Sequence, residues 1–136
     1  MTNLSLAQSY LRKAMARLKL LPILLDEQDY SDVIRESQEI VELALKGMLR
    51  QVGIEPPKWH DVGGLLLEHR ERFSPETAAQ IESLAAISKW LRKERELAFY
   101  GDIDFIPSEE YDRTDAERAM TDAGLVVKTA RDVIPE

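Results

Sequence analysis

The chain has 136 residues, a net charge of −7 at pH 7 and no cysteine. This length is typical of one domain, so we expect residues 1–136 to fold as a single unit, and the lack of cysteine excludes disulfides, thiolate metal sites and cysteine nucleophiles. The longest aliphatic run, residues 20–25, contains a proline and is far shorter than the roughly 20 residues that a membrane-spanning helix needs. The start of the chain lacks the basic and apolar stretches of a signal peptide. The sequence therefore predicts a cytoplasmic protein without a membrane partner.

The charge is unevenly distributed along the chain. Residues 1–100 contain 15 acidic and 14 basic side chains, whereas residues 101–136 contain 10 acidic and 4 basic ones. A broad basic face for DNA is therefore disfavoured. A local cationic patch is compatible with this distribution, and its members would be Lys89, Arg92, Lys93 and Arg95.

Two helices are predicted in the first part of the chain. Residues 4–25 carry an apolar residue at every third or fourth position, as a core-facing helix does, namely Leu4, Ala7, Leu11, Ala14, Leu18, Leu21 and Leu25. Pro22 removes one backbone donor and restricts the residue before it, which predicts a kink or an early end. Residues 31–52 have a wider apolar face, as the central helix of a bundle requires.

A short helix and a long helix are predicted next. The short one covers residues 61–72, with Asp61 as its cap. Ser74 followed by Pro75 is a strong helix start, because serine caps the first turn and proline is favoured at the first helical position. We expect this long helix to cover residues 75–100 without a break.

The last helix is predicted over residues 114–133, because Thr114 and Glu117 have the spacing of a capping box. The acidic segment before it, residues 102–113, keeps several apolar side chains, so we expect it to lie against the bundle. No strand pattern competes with these helices. The predicted fold is all-α, an up-and-down four-helix bundle with an additional short helix, about five helices in all.

Two arginines interrupt the apolar face of the long helix. Ser88, Arg92 and Arg95 continue the stripe formed by the apolar residues of the preceding turns. Arginine is always charged and is seldom buried without a partner, so both side chains need anions, which would be carboxylates of this chain or of a second copy, or phosphates of a ligand. Alternatively, their stems cover apolar neighbours while the guanidinium groups stay in water, or they pair with Glu94, Glu96 or carboxylates on other helices.

Several common chemistries have no motif in this sequence. The two histidines, His60 and His69, have no partner at a metal-ligand or catalytic spacing. Gly63 and Gly64 alone do not make a phosphate-binding loop, and no serine-hydrolase motif occurs. We therefore expect no metal and no cofactor.

Four segments together resemble the HEPN family (higher eukaryotes and prokaryotes nucleotide-binding domain), in its small bacterial and archaeal form. They are, in chain order, residues 6–14 (LAQSYLRKA), 40–46 (IVELALK), 57–61 (PKWHD) and 95–102 (RELAFYGD). The resemblance runs nearly end to end. It implies a helical bundle that is usually a homodimer, is often encoded beside a small nucleotidyltransferase, and belongs in many cases to toxin–antitoxin or defence systems as a metal-independent ribonuclease.

The ribonuclease motif of the family is an arginine followed, after four to six residues, by a histidine. Arg95 matches the arginine, but Tyr100 stands where the histidine is expected. Histidine transfers protons near neutral pH, whereas tyrosine has an ordinary pKa near 10, so cleavage should slow by about 10² to 10⁴-fold. Whether the protein is an enzyme stays open at this point. If it is one, Arg95 and Tyr100 are its catalytic residues.

We therefore expect Arg92, Arg95, Glu96 and Tyr100 to line a cleft that binds RNA or nucleotide phosphate, in a protein that is half of a two-protein system. One alternative is a non-catalytic dimeric scaffold, in which the arginines hold the dimer through acidic residues of the segment 102–117. The other is a residual metal-independent ribonuclease, in which Tyr100 or Glu96 carries the proton.

Overall fold

The structure is a computed structural model that describes the backbone of residues 3–56, 58, 61–100 and 110–135, and the side chains of residues 6–56, 58, 61–94 and 110–135. The helices of this part of the chain are α1 Asn3–Leu18, α2 Leu21–Asp26, α3 Tyr30–Gln51, α4 Val62–Glu68, α5 Pro75–Ala78, α6 Ile81–Tyr100 and α7 Arg113–Val133. A short 3-10 turn, Arg70–Arg72, lies between α4 and α5. The predicted all-α bundle is confirmed, with α1, α3, α6 and α7 as its four long helices.

Helix α3 lies at the centre of the bundle. It packs against α1, α2, α4, α6 and α7, whereas α6 and α7 have few direct contacts with each other. Ile34, Leu45 and Met48 on α3 are completely buried, and burying a side chain of this size stabilises the fold by about 1.5 to 3 kcal/mol. The wide apolar face predicted for α3 is therefore covered by neighbouring helices on several sides of α3.

The first predicted helix is divided into α1 and α2. Lys19 and Leu20 form a turn between them, in which the Leu20 amide donates to the carbonyl of Arg17 at 3.0 Å. Pro22 follows in the first turn of α2, where its missing amide costs nothing. The predicted kink at this proline is thus a complete break.

The long helix predicted over residues 75–100 is also interrupted, which corrects the expectation of one unbroken helix. Ala79 and Gln80 separate α5 from α6, and the Gln80 amide donates to the carbonyl of Thr77 at 2.9 Å, in the tighter i to i−3 pattern. Neither residue is proline or glycine, so the sequence pattern contained no sign of this break. The predicted cap is correct, because Ser74 Oγ accepts from the Thr77 amide at 3.3 Å.

The start of α7 differs from the prediction as well. Its cap is Asp112, whose carboxylate accepts from the Asp115 amide at 2.9 Å, while the Asp115 carboxylate accepts from the Asp112 amide at 3.1 Å. The capping box is therefore Asp112 and Asp115, not Thr114 and Glu117. Glu117 instead pairs with Arg113 one turn before it, at 2.6 Å.

Within the described residues, no helix combines the length and the apolar character that crossing a membrane would require.

Candidate functional site

The candidate site lies on the carboxyl-terminal half of α6, beyond the point where this helix leaves the core. Ser88 is 3% exposed and Leu91 is fully buried, so the helix is still anchored in the bundle at these positions. One turn after Ser88, the side chain of Arg92 is 44% exposed. Arg92 thus lies next to buried positions of α6, and its own side chain is exposed to solvent.

Arg92 faces Asp61, the residue that caps α4. Arg92 Nη1 and Asp61 Oδ1 are 3.5 Å apart, and the Asp61 side chain is 49% exposed. A strong charge-assisted hydrogen bond between nitrogen and oxygen measures about 2.7 to 2.9 Å, so this is a loose ion pair. Pairs as exposed as this one contribute about 0 to 1 kcal/mol, and the guanidinium remains accessible to a second anion.

The position of Asp61 is set by the start of α4. Its Oδ1 accepts from the Gly63 amide at 3.1 Å, which is the helix cap that the sequence predicted. Gly63 in turn lies directly on α6, since a Cβ added to it would be 2.9 Å from Cα of Ala85. Only a residue without a side chain permits this approach. The close contact between α4 and α6 is what brings Asp61 to Arg92.

Trp90 forms the first of two attachments between α6 and the last part of the chain near the site. Trp90 Nε1 donates to Asp122 Oδ2 at 2.9 Å. Arg118 lies over the Trp90 ring, with its guanidinium carbon 4.1 Å from the ring centroid, and its Nε is 3.9 Å from Asp122 Oδ2. Cation–π contacts of this kind contribute about 0.5 to 1 kcal/mol at exposed positions. These directional contacts join two helices that share little apolar surface.

The second attachment involves Tyr111, just before α7. Its hydroxyl oxygen lies 2.8 Å from Glu94 Oε2 and 3.2 Å from the Glu94 carbonyl oxygen, and Tyr111 is 9% exposed. Burial, together with the hydrogen bond to Glu94, raises the pKa of the Tyr111 phenol well above its ordinary value. The Glu94 carboxylate therefore accepts a hydrogen bond from Tyr111. Glu94 directly precedes Arg95 in the chain.

The remaining predicted site residues are only partly covered by the structure. Arg95, Glu96 and Tyr100 belong to α6, but their side chains lie outside the described residues, as does His60. Among the side chains that are described, no group of three or more histidines or carboxylates could hold a metal ion. Of the predicted set, the structure thus places Arg92 alone, and pairs it with Asp61.

Sequence reasoning did not predict three of the contacts that shape this region. Asp61 was predicted as a cap but not as the partner of Arg92, and neither the Tyr111 contact nor the Asp122 contact was predicted. Asp61 belongs to the PKWHD segment that carries the family resemblance, which was the available signal. Tyr111 was one of the apolar side chains retained in an acidic segment, and its burial explains why.

An exposed arginine, on a helix whose preceding turn is packed in the core, can stabilise negative charge on a phosphate or carboxylate. It cannot act as a proton carrier, because arginine does not lose its proton in proteins. The described geometry is therefore suited to contact with an anion, and a proton transfer would need another group.

Comparison with known proteins assigns this helical bundle to a class. The HEPN domain matches residues 7–133, nearly the whole chain, so the chain belongs to the HEPN domain family. It is also similar to the protein named "Putative toxin MJ1304" of Methanocaldococcus jannaschii, with 27% identity over 141 residues, covering 98% of this chain and 91% of that protein.

Proposed function

We propose that this HEPN protein is toxin-like and binds the phosphate of RNA or of a nucleotide at the carboxyl-terminal half of α6. The observation that carries the proposal is the exposed guanidinium of Arg92, whose ion pair with the half-exposed carboxylate of Asp61 is 3.5 Å long. Lys89 and Lys93 on the same helix are exposed too. A terminal nucleotide phosphate carries more charge than one carboxylate, and any phosphate, including the singly charged phosphodiester of RNA, accepts two parallel hydrogen bonds from arginine. Because the contact of Arg92 with Asp61 is long, a phosphate that makes both hydrogen bonds competes with it.

The finer parts of the proposal come from the family. Arg95, Glu96 and Tyr100 follow Arg92 on α6, and we assign them to the same anion site. The name of the Methanocaldococcus relative supports a toxin-like role. A homodimer, and a small nucleotidyltransferase as the second protein of the system, are what the HEPN resemblance adds.

The deciding experiment measures binding of a labelled single-stranded RNA and of a labelled nucleotide to the wild type and to Arg92→Ala and Arg95→Ala. Losing one charged hydrogen-bond donor to phosphate should weaken binding by at least about tenfold. Arg70→Ala is the matched control, because Arg70 is an exposed arginine outside α6. Equal affinity of all four proteins would remove the arginines of α6 from any phosphate site.

Residual ribonuclease activity is the second candidate function, favoured by the relative's name as a toxin. The same RNA is incubated with wild type, Arg95→Ala and Tyr100→Phe in excess chelator, and fragments are separated on a gel. Fragments that require both Arg95 and Tyr100 would establish metal-independent cleavage. Intact RNA with the wild type at high protein concentration would leave binding as the function.

The alternative of a non-catalytic dimeric scaffold is tested by measuring the mass of the protein in solution. If Arg95 joins two copies through acidic residues of the other chain, Arg95→Glu should convert a dimer to a monomer in light scattering. An unchanged mass would rule out this role for Arg95.

A further inference from the structure

A second surface, remote from the α6 arginines in the sequence, contains a groove between helices. It runs between α1 and α7, has a volume of about 620 Å³, and is lined by Arg12, Met15, Ala16, Leu18, Lys19, Pro22, Val127 and Arg131. A smaller extension of about 230 Å³ shares Arg12 and Met15 and reaches Gln8, Leu11 and Pro135. We refer to both parts together as the α1–α7 groove.

The floor of the α1–α7 groove is apolar. Val127 is 2% exposed and Leu11 is also 2% exposed, so these side chains belong to the core and only close the bottom. Met15 and Leu18 are half-buried, while Ala16 and Pro22 are exposed. Covering apolar surface of this kind with a partner removes it from water, which favours binding.

The rim of the groove is basic, in a chain whose net charge is −7. Arg12, Lys19 and Arg131 line it, and within the described residues no carboxylate does so. Arg12 and Lys19 are exposed and form no ion pair with any other described residue. The local sign of charge is therefore opposite to that of the whole protein.

The charge also determines which occupant fits. In a symmetric dimer the same patch meets itself, so the cations of both rims would be brought together without a carboxylate on the lining. Such like-charge contacts oppose association. A second copy of this chain is thus disfavoured on this face, and a different protein with carboxylates beside apolar side chains is favoured.

We infer that the α1–α7 groove binds an acidic amphipathic helix of a second, different protein. A groove between two helices is the usual receptor for the apolar face of a third. Arg12 lies on α1 and Lys19 directly follows its last residue, so the two are about 10 Å apart along the helix axis. An occupant of two to three turns, with apolar residues at i, i+3 or i+4, and i+7 and with glutamates on its flanks, would meet both the floor and the rim. This inference goes beyond the phosphate site on α6 and does not depend on it.

The test uses two fluorescein-labelled, stapled helical peptides that have identical leucine positions. One carries glutamates and the other lysines on the flanks, and fluorescence anisotropy measures their binding to the full chain. We expect the acidic peptide to bind and the basic one not to bind. Arg12→Glu combined with Lys19→Glu should weaken the acidic peptide by at least about tenfold. Two peptides that bind alike would overturn the inference.

The matched control combines Lys13→Glu with Lys128→Glu, which changes the net charge equally at exposed positions outside the groove. It should change the affinity by less than about threefold. Equal losses in the two double variants would mean general attraction to a charged protein, and would overturn the inference. Circular dichroism of both double variants should match the wild type, because all four positions are exposed.

The location of the peptide is measured separately. The chain lacks cysteine, so Ala16→Cys provides one reactive thiol in the groove, and Ala86→Cys provides one on an exposed part of α6. The acidic peptide should slow alkylation at the first position only. Protection of neither thiol, competition by RNA for the Ala16→Cys site, or a fall in the light-scattering mass of the Arg12→Glu and Lys19→Glu variant would each contradict the inferred occupant.

Discussion

The hydroxyl of Tyr111 lies 2.8 Å from the carboxylate of Glu94 and so joins the approach to α7 to the carboxyl-terminal half of α6. Glu94 belongs to α6 and Tyr111 lies just before α7, and these two helices share few direct contacts. Since Tyr111 is 9% exposed, this hydrogen bond is sheltered from competing water. The hydrogen bond holds the turn of α6 that contains Glu94, and Arg95 is the next residue of this helix.

We predict that Tyr111→Phe lowers the free energy of unfolding by about 1 to 2 kcal/mol, because the Glu94 carboxylate loses a donor in a sheltered position. Urea denaturation followed by circular dichroism measures the change. Tyr10→Phe is the control, because the Tyr10 hydroxyl has no hydrogen-bond partner among the described residues. Equal stability of wild type and Tyr111→Phe would show that the contact contributes little.

The same phenol makes stability depend on alkaline pH. Its pKa is raised above the ordinary value of about 10, first by burial and then by the hydrogen bond to Glu94. The folded state therefore favours the neutral phenol, and the stabilisation is complete below about pH 10 and is lost as the pH rises above it. The stability difference between wild type and Tyr111→Phe should shrink in that range.

Urea midpoints measured in steps from neutral to strongly alkaline pH test this prediction. Absorbance at alkaline pH gives a second readout, since the Tyr111 phenol should ionise at higher pH in the folded protein than in the unfolded one. A constant difference between the two proteins across the whole range would contradict it.

We predict that Gly63→Ala destabilises the fold by about 1 to 3 kcal/mol, because overpacking forces the backbone apart. The added Cβ would be 2.9 Å from Cα and 3.3 Å from the carbonyl oxygen of Ala85. Gly124→Ala is the matched control, since nothing lies within 4 Å of its Cβ position and alanine is favoured over glycine in a helix by about 1 kcal/mol. Thermal unfolding should shift downward for the first variant and not for the second.

The start of α7 provides a further prediction. Asp112→Ala should lower the free energy of unfolding by about 1 kcal/mol, because the Asp115 amide loses its acceptor. Thr114→Ala should change it by less than about 0.5 kcal/mol, since this exposed side chain does not cap the helix. A larger loss of stability for Thr114→Ala than for Asp112→Ala would instead support Thr114 as the cap, as the sequence alone suggested.

That pair of variants also shows where sequence reasoning stopped. The helices were predictable because apolar residues recur with the helical period, and α3 was recognisable as central from its wide apolar face. The cap of α7 was not, because two capping patterns start two residues apart, at Asp112 and at Thr114. Which one is used depends on where the preceding segment turns, and that is a property of the tertiary structure.

The candidate site also has one part that the sequence predicts and one part that it does not. The position of Arg92 at the edge of the core follows from its place in the stripe after Ser88. Its partner Asp61 does not follow, because it depends on the contact of Gly63 with Ala85 between two helices. A local pattern cannot report such a contact.

The central place of α3 has a consequence for changes in chain length. Since its neighbours pack on different sides of it, deleting one residue in the middle of α3 would rotate every later position by about 100°. Helix α1 contacts both halves of α3, because Arg17 pairs with Glu36 near one end and Ala7 lies beside Gly47 near the other. After such a deletion, the contacts of one half of α3 would keep their register and those of the other half would lose it. A one-residue deletion in α3 should therefore destabilise the fold more than a change of length at the exposed residues 27–28.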